Sequence, residues 1–204
     1  MQHGKEADMN VIVITGASSG IGREFALQLD EHFTNIDEFW LVARNRGELK
    51  KLGESLRHRA RIFPVDLTDK TKRDALENAA FRHDAAVRML INCAGYGIMG
   101  SFCEQDGELE AGMIRLNCEA LTDITHRMIP YMRPGSRIIQ MASSAAFLPQ
   151  PDFAVYAATK SYVLSFSAQV LLTRRFSRLR RRLALLCQLK NIPWSALKGS
   201  YIRL

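Results

Sequence analysis

The sequence predicts a three-layer α/β/α fold built around a doubly wound parallel sheet. Three observations carry that expectation. Short apolar runs rich in β-branched residues alternate with longer helical patterns. A glycine-rich turn joins the first apolar run directly to the first helix. Apolar residues make up 47% of 204 residues, which suits one domain with a buried sheet.

Residues 10–15 form the first run, with Val11, Ile12, Val13 and Ile14 flanked by Asn10 and Thr15. A continuous apolar stretch of this length reads as a strand buried on both faces. The second strand is expected at 39–43, and further strands at 60–65, 87–92 and 137–141. Helical patterns fill 21–31, 47–58, 71–82, about 107–132 and 154–172. The last two are apolar on more than one face. The chain holds no internal repeat and no low-complexity tract.

The turn after the first strand reads Gly16, Ala17, Ser18, Ser19, Gly20, Ile21, Gly22. A strand, a glycine turn and a helix N-terminus together make an anion site, with backbone N–H groups and the positive end of the helix dipole facing a phosphate. Glycine lets a pyrophosphate approach the backbone closely. The spacing G-x-x-x-G-x-G differs from the common G-x-G-x-x-G pattern, and the Lys-Ser/Thr pair of a triphosphatase loop is missing.

A cofactor ribose would meet the loop that ends the second strand. An acidic residue there would accept hydrogen bonds from a free 2′-hydroxyl. Here Ala43 is followed by Arg44, Asn45 and Arg46. Arginine suits a 2′-phosphate through forked, charge-assisted hydrogen bonds. The expectation is therefore NADP(H) in preference to NAD(H).

Tyr156 and Lys160 stand four residues apart, and Ser143 precedes the tyrosine by thirteen. Positions i and i+4 share a helix face, so the ammonium sits beside the phenol. A phenol is a weak acid. A fixed positive charge beside it stabilises the phenolate and suits it to acid–base work. Ser143 can donate a hydrogen bond to a substrate oxygen and hold it against Tyr156. Ser144 is the competing serine.

Taken together, these motifs resemble a short-chain dehydrogenase/reductase of the TGxxxGxG and YxxxK type, over about residues 10–170. Thr15 to Gly22 match the cofactor motif in full. Val65, Asp66, Leu67 and Thr68 match the segment whose aspartate contacts adenine, which maps onto Asp66. Asn92, Cys93, Ala94 and Gly95 resemble the family's Asn-Asn-Ala-Gly, with Cys93 in place of the second asparagine. Asn117 falls where the family's active-site asparagine lies.

The resemblance implies a Rossmann-like fold and a catalytic tetrad of Ser143, Tyr156, Lys160 and Asn117. It implies a cofactor held by Gly16, Ser18, Ser19, Gly20, Ile21, Gly22, Arg44, Asp66, Asn92, Ala94, Gly95, Tyr156 and Lys160. Lys160 would bind the nicotinamide ribose, and Tyr156 would exchange a proton with a carbonyl or alcohol oxygen. Asn117 would hold a water linking Lys160 to solvent. The resemblance further implies a small carbonyl or alcohol as substrate. Residues 147–151, apolar and proline-containing, are expected to border its pocket. The helices at about 107–132 and 154–172 pair between subunits in the resembled family, which implies a homo-oligomer.

No apolar run reaches the length of a membrane span, and the polar start leaves no room for a signal peptide before the first strand. Cys93, Cys103, Cys118 and Cys187 show no metal-ligand spacing and read as reduced thiols. The five histidines form no cluster. A cytoplasmic, metal-free protein is expected.

The net charge of +7 is concentrated in one place. Residues 173–204 carry nine Lys/Arg and no Asp or Glu, so the first 172 residues are slightly acidic. The division expected is an oxidoreductase domain over 1–172 and a divergent basic tail over 173–204. Leu183 to Cys187 can supply one more strand, but no Pro-Gly turn follows, and the resemblance implies that the usual last strand and substrate lid are lacking. Of three origins for the tail, a shifted reading frame near 168–173 is preferred to a naturally short end. It is also preferred to a basic arm for nucleic acid or acidic lipid. The leading function is an NADP(H)-dependent oxidoreductase. The alternative is a nucleotide-binding protein with little turnover.

Overall fold

The computed structural model describes residues 9–148, 150–172 and 182–188. Six strands form one parallel sheet in the order β3-β2-β1-β4-β5-β6. They are β1 (Met9–Thr15), β2 (Glu38–Ala43), β3 (Arg59–Pro64), β4 (Ala85–Asn92), β5 (Met132–Ser143) and β6 (Arg182–Gln188). The expected strand at Leu183–Cys187 is thus present, paired to β5, so the sheet continues beyond residue 172. The rest of the basic tail lies outside the described residues.

Alternation along the strands sorts side chains onto two faces. Ile12, Ile14, Phe39 and Leu41 face α1 (Gly20–His32) and α2 (Arg46–Ser55), where they bury Phe25, Leu29, Leu49 and Leu52. Val11, Val13, Trp40 and Val42 face the other way, against Leu76 and Ala80 of α3 (Lys70–Arg82) and Ile124 and Met128 of α5 (Leu121–Met128). Val163 of α6 (Ala154–Leu172) packs with Leu121 and Ala142 on that second side. The result is the expected three-layer, doubly wound arrangement.

Where element ends depart from expectation, a local cause is visible. The helix expected to run to 58 stops at Ser55, whose hydroxyl donates to the Leu52 carbonyl. Asp30 then takes the N–H groups of Arg57 and His58 at 2.8 and 2.9 Å. The last strand of the central set is longer than 137–141, because Ser136 bridges a register shift. Its hydroxyl donates to the Val87 carbonyl at 2.7 Å and accepts from the Arg133 N–H.

The helix expected at about 107–132 is interrupted. It comprises α4 (Gly107–Ile114), a π-helical turn (Arg115–Ala120), α5, and a 3-10 turn (Ile129–Tyr131) containing Pro130. Proline has no N–H for the helical ladder, which accounts for the final tightening. The π turn centres on Asn117 and belongs to the site. Among the described residues, no helix is long and apolar enough to cross a membrane.

Candidate active site

The chain runs β1, β2, β3 to one side and resumes with β4 on the other, so a crevice opens between the carboxyl ends of β1 and β4. Ligands of open α/β sheets bind at such a reversal. A cleft of about 960 Å³ lies there, lined from Gly16–Gly22 at one end to Tyr156 and Lys160 at the other.

The phosphate end is made of backbone. Gly16 has φ +68°, and a Cβ on it would come within 2.8 Å of the Ala94 nitrogen. A Cβ on Gly22 would lie 2.4 Å from the Gly16 carbonyl oxygen. Only hydrogen fits at either place, so the turn closes tightly against the first turn of α1. Ser19 occupies the N-cap but makes no side-chain cap, which leaves the first N–H groups of α1 to an anion. Thr15 Oγ1 accepts from the Ala94 N–H at 3.1 Å and locks β1 to the loop after β4.

At the ribose end, Arg44 and Asn45 line the cleft, whereas Arg46 opens α2 away from that wall. Asn45 is committed to capping α2 through the Glu48 N–H. Asp66 lines the same wall. Hydrogen bonds from the Thr68 N–H and hydroxyl, aided by the Arg44 charge, hold its carboxyl below the usual carboxylate range.

The opposite end, which holds the expected Tyr156 and Lys160, is made of side chains from separate segments. Lys160 is buried, and its Nζ donates to the Met141 carbonyl at 2.8 Å. The same Nζ lies 5.6 Å from the centre of the Tyr156 ring. Burial pushes the Lys160 ammonium below its ordinary range. Phe153 meets Tyr156 edge-on, with centroids 5.2 Å apart. A Cβ on Gly97 would stand 2.6 Å from the Tyr156 ring, so this loop glycine lets the backbone lie against the phenol. Cys93 sits on the wall with its thiol pushed up to about 12 by burial, so it stays protonated.

Three expected residues support the cleft without lining it. Asn117 is buried, with Oδ1 accepting from the Tyr96 N–H and Nδ2 donating to the Tyr96 carbonyl. Ser143 ends β5 and accepts from the Ala145 N–H at 3.2 Å. Asn92 lies in the core, where its Nδ2 donates to Thr125 Oγ1 and Gln140 Oε1. Phe147 and Leu148 are exposed beyond the wall, and Pro149 lies outside the described residues.

Sequence reasoning missed Tyr96, Gly97, Met141 and Thr159. It also missed a face of α4 and the π turn, where Glu108, Gly112, Arg115 and Leu116 line the cleft and Arg115 pairs with Glu108. Their spacing marks one helical face, but nothing in the sequence says which face meets the cleft. Among the described residues, no cluster of His, Cys, Asp or Glu is arranged to hold a metal.

The chain matches the short-chain dehydrogenase family over residues 10–174. It is 30% identical over 155 residues to an uncharacterized oxidoreductase from Staphylococcus epidermidis, across 75% of this chain and 66% of that protein. The fold is similar to a short-chain dehydrogenase from Sphingobium yanoikuyae in complex with NADPH: 29% identity, TM-score 0.76, covering 87% of this chain and 71% of that one. It is also similar to a short-chain dehydrogenase/reductase from Burkholderia phymatum in complex with NAD: 27% identity, TM-score 0.78, covering 88% and 65%.

Proposed function

Because the chain belongs to the short-chain dehydrogenase family, we propose that it is an NADP(H)-dependent oxidoreductase acting on a carbonyl/alcohol pair. The observation that carries this reading is the meeting of Tyr156, Lys160 and Gly97 at one end of a cleft whose other end is the Gly16–Gly22 anion turn.

The residues fit a nicotinamide dinucleotide. Gly16, Ser18, Ser19, Gly20, Ile21 and Gly22 would hold the pyrophosphate, Arg44 a 2′-phosphate, Asp66 the adenine end, and Ala94, Gly95 and Lys160 the nicotinamide half. When bound, the nicotinamide supplies or accepts the hydride. The protein's own part is proton handling. Tyr156 gives a proton to the carbonyl oxygen in one direction and takes it from the alcohol in the other. The Lys160 ammonium stabilises the phenolate. Ser143, at the end of β5 just behind the cleft wall, would reach the substrate oxygen with its hydroxyl, while Asn117 holds the Tyr96 loop in place. Exposed Ile114 and Tyr162 on the helices flanking the site support pairing between copies of the chain.

The test is reduction of a panel of ketones and aldehydes with NADPH, by the unsubstituted chain and by Tyr156→Phe. Turnover that disappears in the variant, with NADPH binding kept, supports the oxidoreductase. NADPH binding without turnover on any substrate would instead favour a nucleotide-binding protein.

A further inference from the structure

Thr159 lies one residue before Lys160 and is buried. Its hydroxyl donates to the Tyr156 carbonyl at 2.7 Å and accepts from Asn117 Nδ2 at 3.1 Å. The other Nδ2 hydrogen of Asn117 goes to the Tyr96 carbonyl at 2.8 Å, and Oδ1 takes the Tyr96 N–H at 3.1 Å. The amide is therefore engaged at both hydrogens and at its oxygen. A continuous path runs from the Tyr96 backbone, through Asn117 and Thr159, to the carbonyl of Tyr156.

That path closes on itself. The loop fixed by Asn117 continues into Gly97, whose backbone lies against the Tyr156 ring. The phenol is thus located from two directions, by the loop on its ring and by Thr159 on its main chain. Asn117 reaches both partners from the middle of the π turn. Such turns are rare and are frequently found at functional sites. A threonine in a helix often bonds a carbonyl one turn back. Thr159 differs because the same buried oxygen also receives a donor from another element.

We propose that Thr159 is a positioning residue for Tyr156, setting the first turn of α6 against the Tyr96–Gly97 loop. This rests on the oxidoreductase reading of the cleft. A displaced first turn misaligns the phenol with the substrate oxygen, and misplacement by about 1 Å costs on the order of 100-fold in rate.

The experiment compares Thr159→Val, which keeps the shape and removes the hydroxyl, with Thr159→Ser, which keeps the hydroxyl. Thr159→Ala carries the same expectation as the valine variant and covers the case in which valine does not fold. Rates are measured per folded molecule, at saturating NADPH, across pH. The hydroxyl-free variants should lose kcat by roughly 10- to 100-fold, with KM and NADPH affinity held, and serine should restore the rate. Unchanged kcat in the valine or alanine variant overturns the proposal, as does a serine variant equally impaired. A parallel change in kcat, KM and NADPH affinity also overturns it, as a mark of general loosening. An unsubstituted chain that reduces nothing in the panel sinks the oxidoreductase reading itself, an outcome distinct from an active parent with an indifferent Thr159.

Discussion

The two ends of the cleft are built on opposite plans. At the phosphate end, one contiguous turn supplies backbone N–H groups, and the side chains matter chiefly by being absent. At the end proposed to be catalytic, the chemistry would rest on a few side-chain atoms of α6 and β5, held by the π turn and the loop after β4. The first plan is intolerant of added volume and indifferent to most functional groups. The second is intolerant of a single lost oxygen and depends on supports far apart in sequence. Each substitution below tests one side of that contrast.

The largest effect should come from removing one oxygen. Tyr156→Phe keeps the ring against Gly97 and Phe153 but cannot carry the proton. Its kcat should fall by about 10²- to 10⁴-fold, while NADPH affinity holds, as measured by steady-state rates and fluorescence titration. Comparable rates in the variant would remove the phenol from the chemistry.

Adding one carbon at the other end should act in the reverse sense. The new methyl of Gly22→Ala would lie 2.4 Å from the Gly16 carbonyl oxygen, and a backbone atom cannot rotate away. Strain of roughly 1–3 kcal/mol should weaken NADPH binding by about 10- to 100-fold. Turnover at saturating cofactor should survive. If both kcat and affinity collapse together, the two ends are not separable as argued.

Arg44→Ala probes the middle of the cleft, where a side chain serves a binding role. It should weaken NADPH by about tenfold, through one lost charge-assisted hydrogen bond, and leave NADH nearly untouched. Equal losses for the two cofactors would mean that Arg44 packs against the adenine end without reading a phosphate.

The contrast also explains which parts were legible beforehand. The phosphate end was readable because glycine is its own signal: Gly16, Gly20 and Gly22 lie within seven residues, between a strand and a helix. The inner strands β1, β2 and β4 were readable because burial on both faces leaves mostly apolar residues. Tyr156 and Lys160 were readable through helix periodicity. Thr159, Gly97 and Tyr96 were not, because their roles arise from contacts across the fold and their residue types are commonplace. The π turn left no trace, and the hydrogen bonds of Asn117 at its centre form only once three segments meet. Asn92 shows the converse: the motif drew attention to it, but its amide nitrogen is spent on Thr125 and Gln140 in the core.

The smallest effect on the cleft should come from Asp30, which ties the far end of α1 to the segment before β3. It sits near the far end of α1, the helix whose N-terminus faces the anion turn, and is 6% exposed. Burial alone would push its carboxyl up. The N–H groups of Arg57 and His58 and the His58 ring, 2.7 Å away, outweigh that and hold it below 3.8. Asp30→Ala strands those donors and should cost about 1–3 kcal/mol of folding stability at neutral pH. The folded carboxyl binds its proton more weakly than the unfolded one. Its contribution is therefore complete above the unfolded value of 3.8 and declines as pH falls through the lower folded value. Denaturant unfolding of parent and variant should show a constant gap near neutral pH that narrows only below 3.8. NADPH affinity at neutral pH should be unchanged, because the glycine turn keeps its geometry as long as α1 is folded. A large affinity loss would show that the anion site is not locally built, and that the backbone plan depends on distant side chains as much as the catalytic one does.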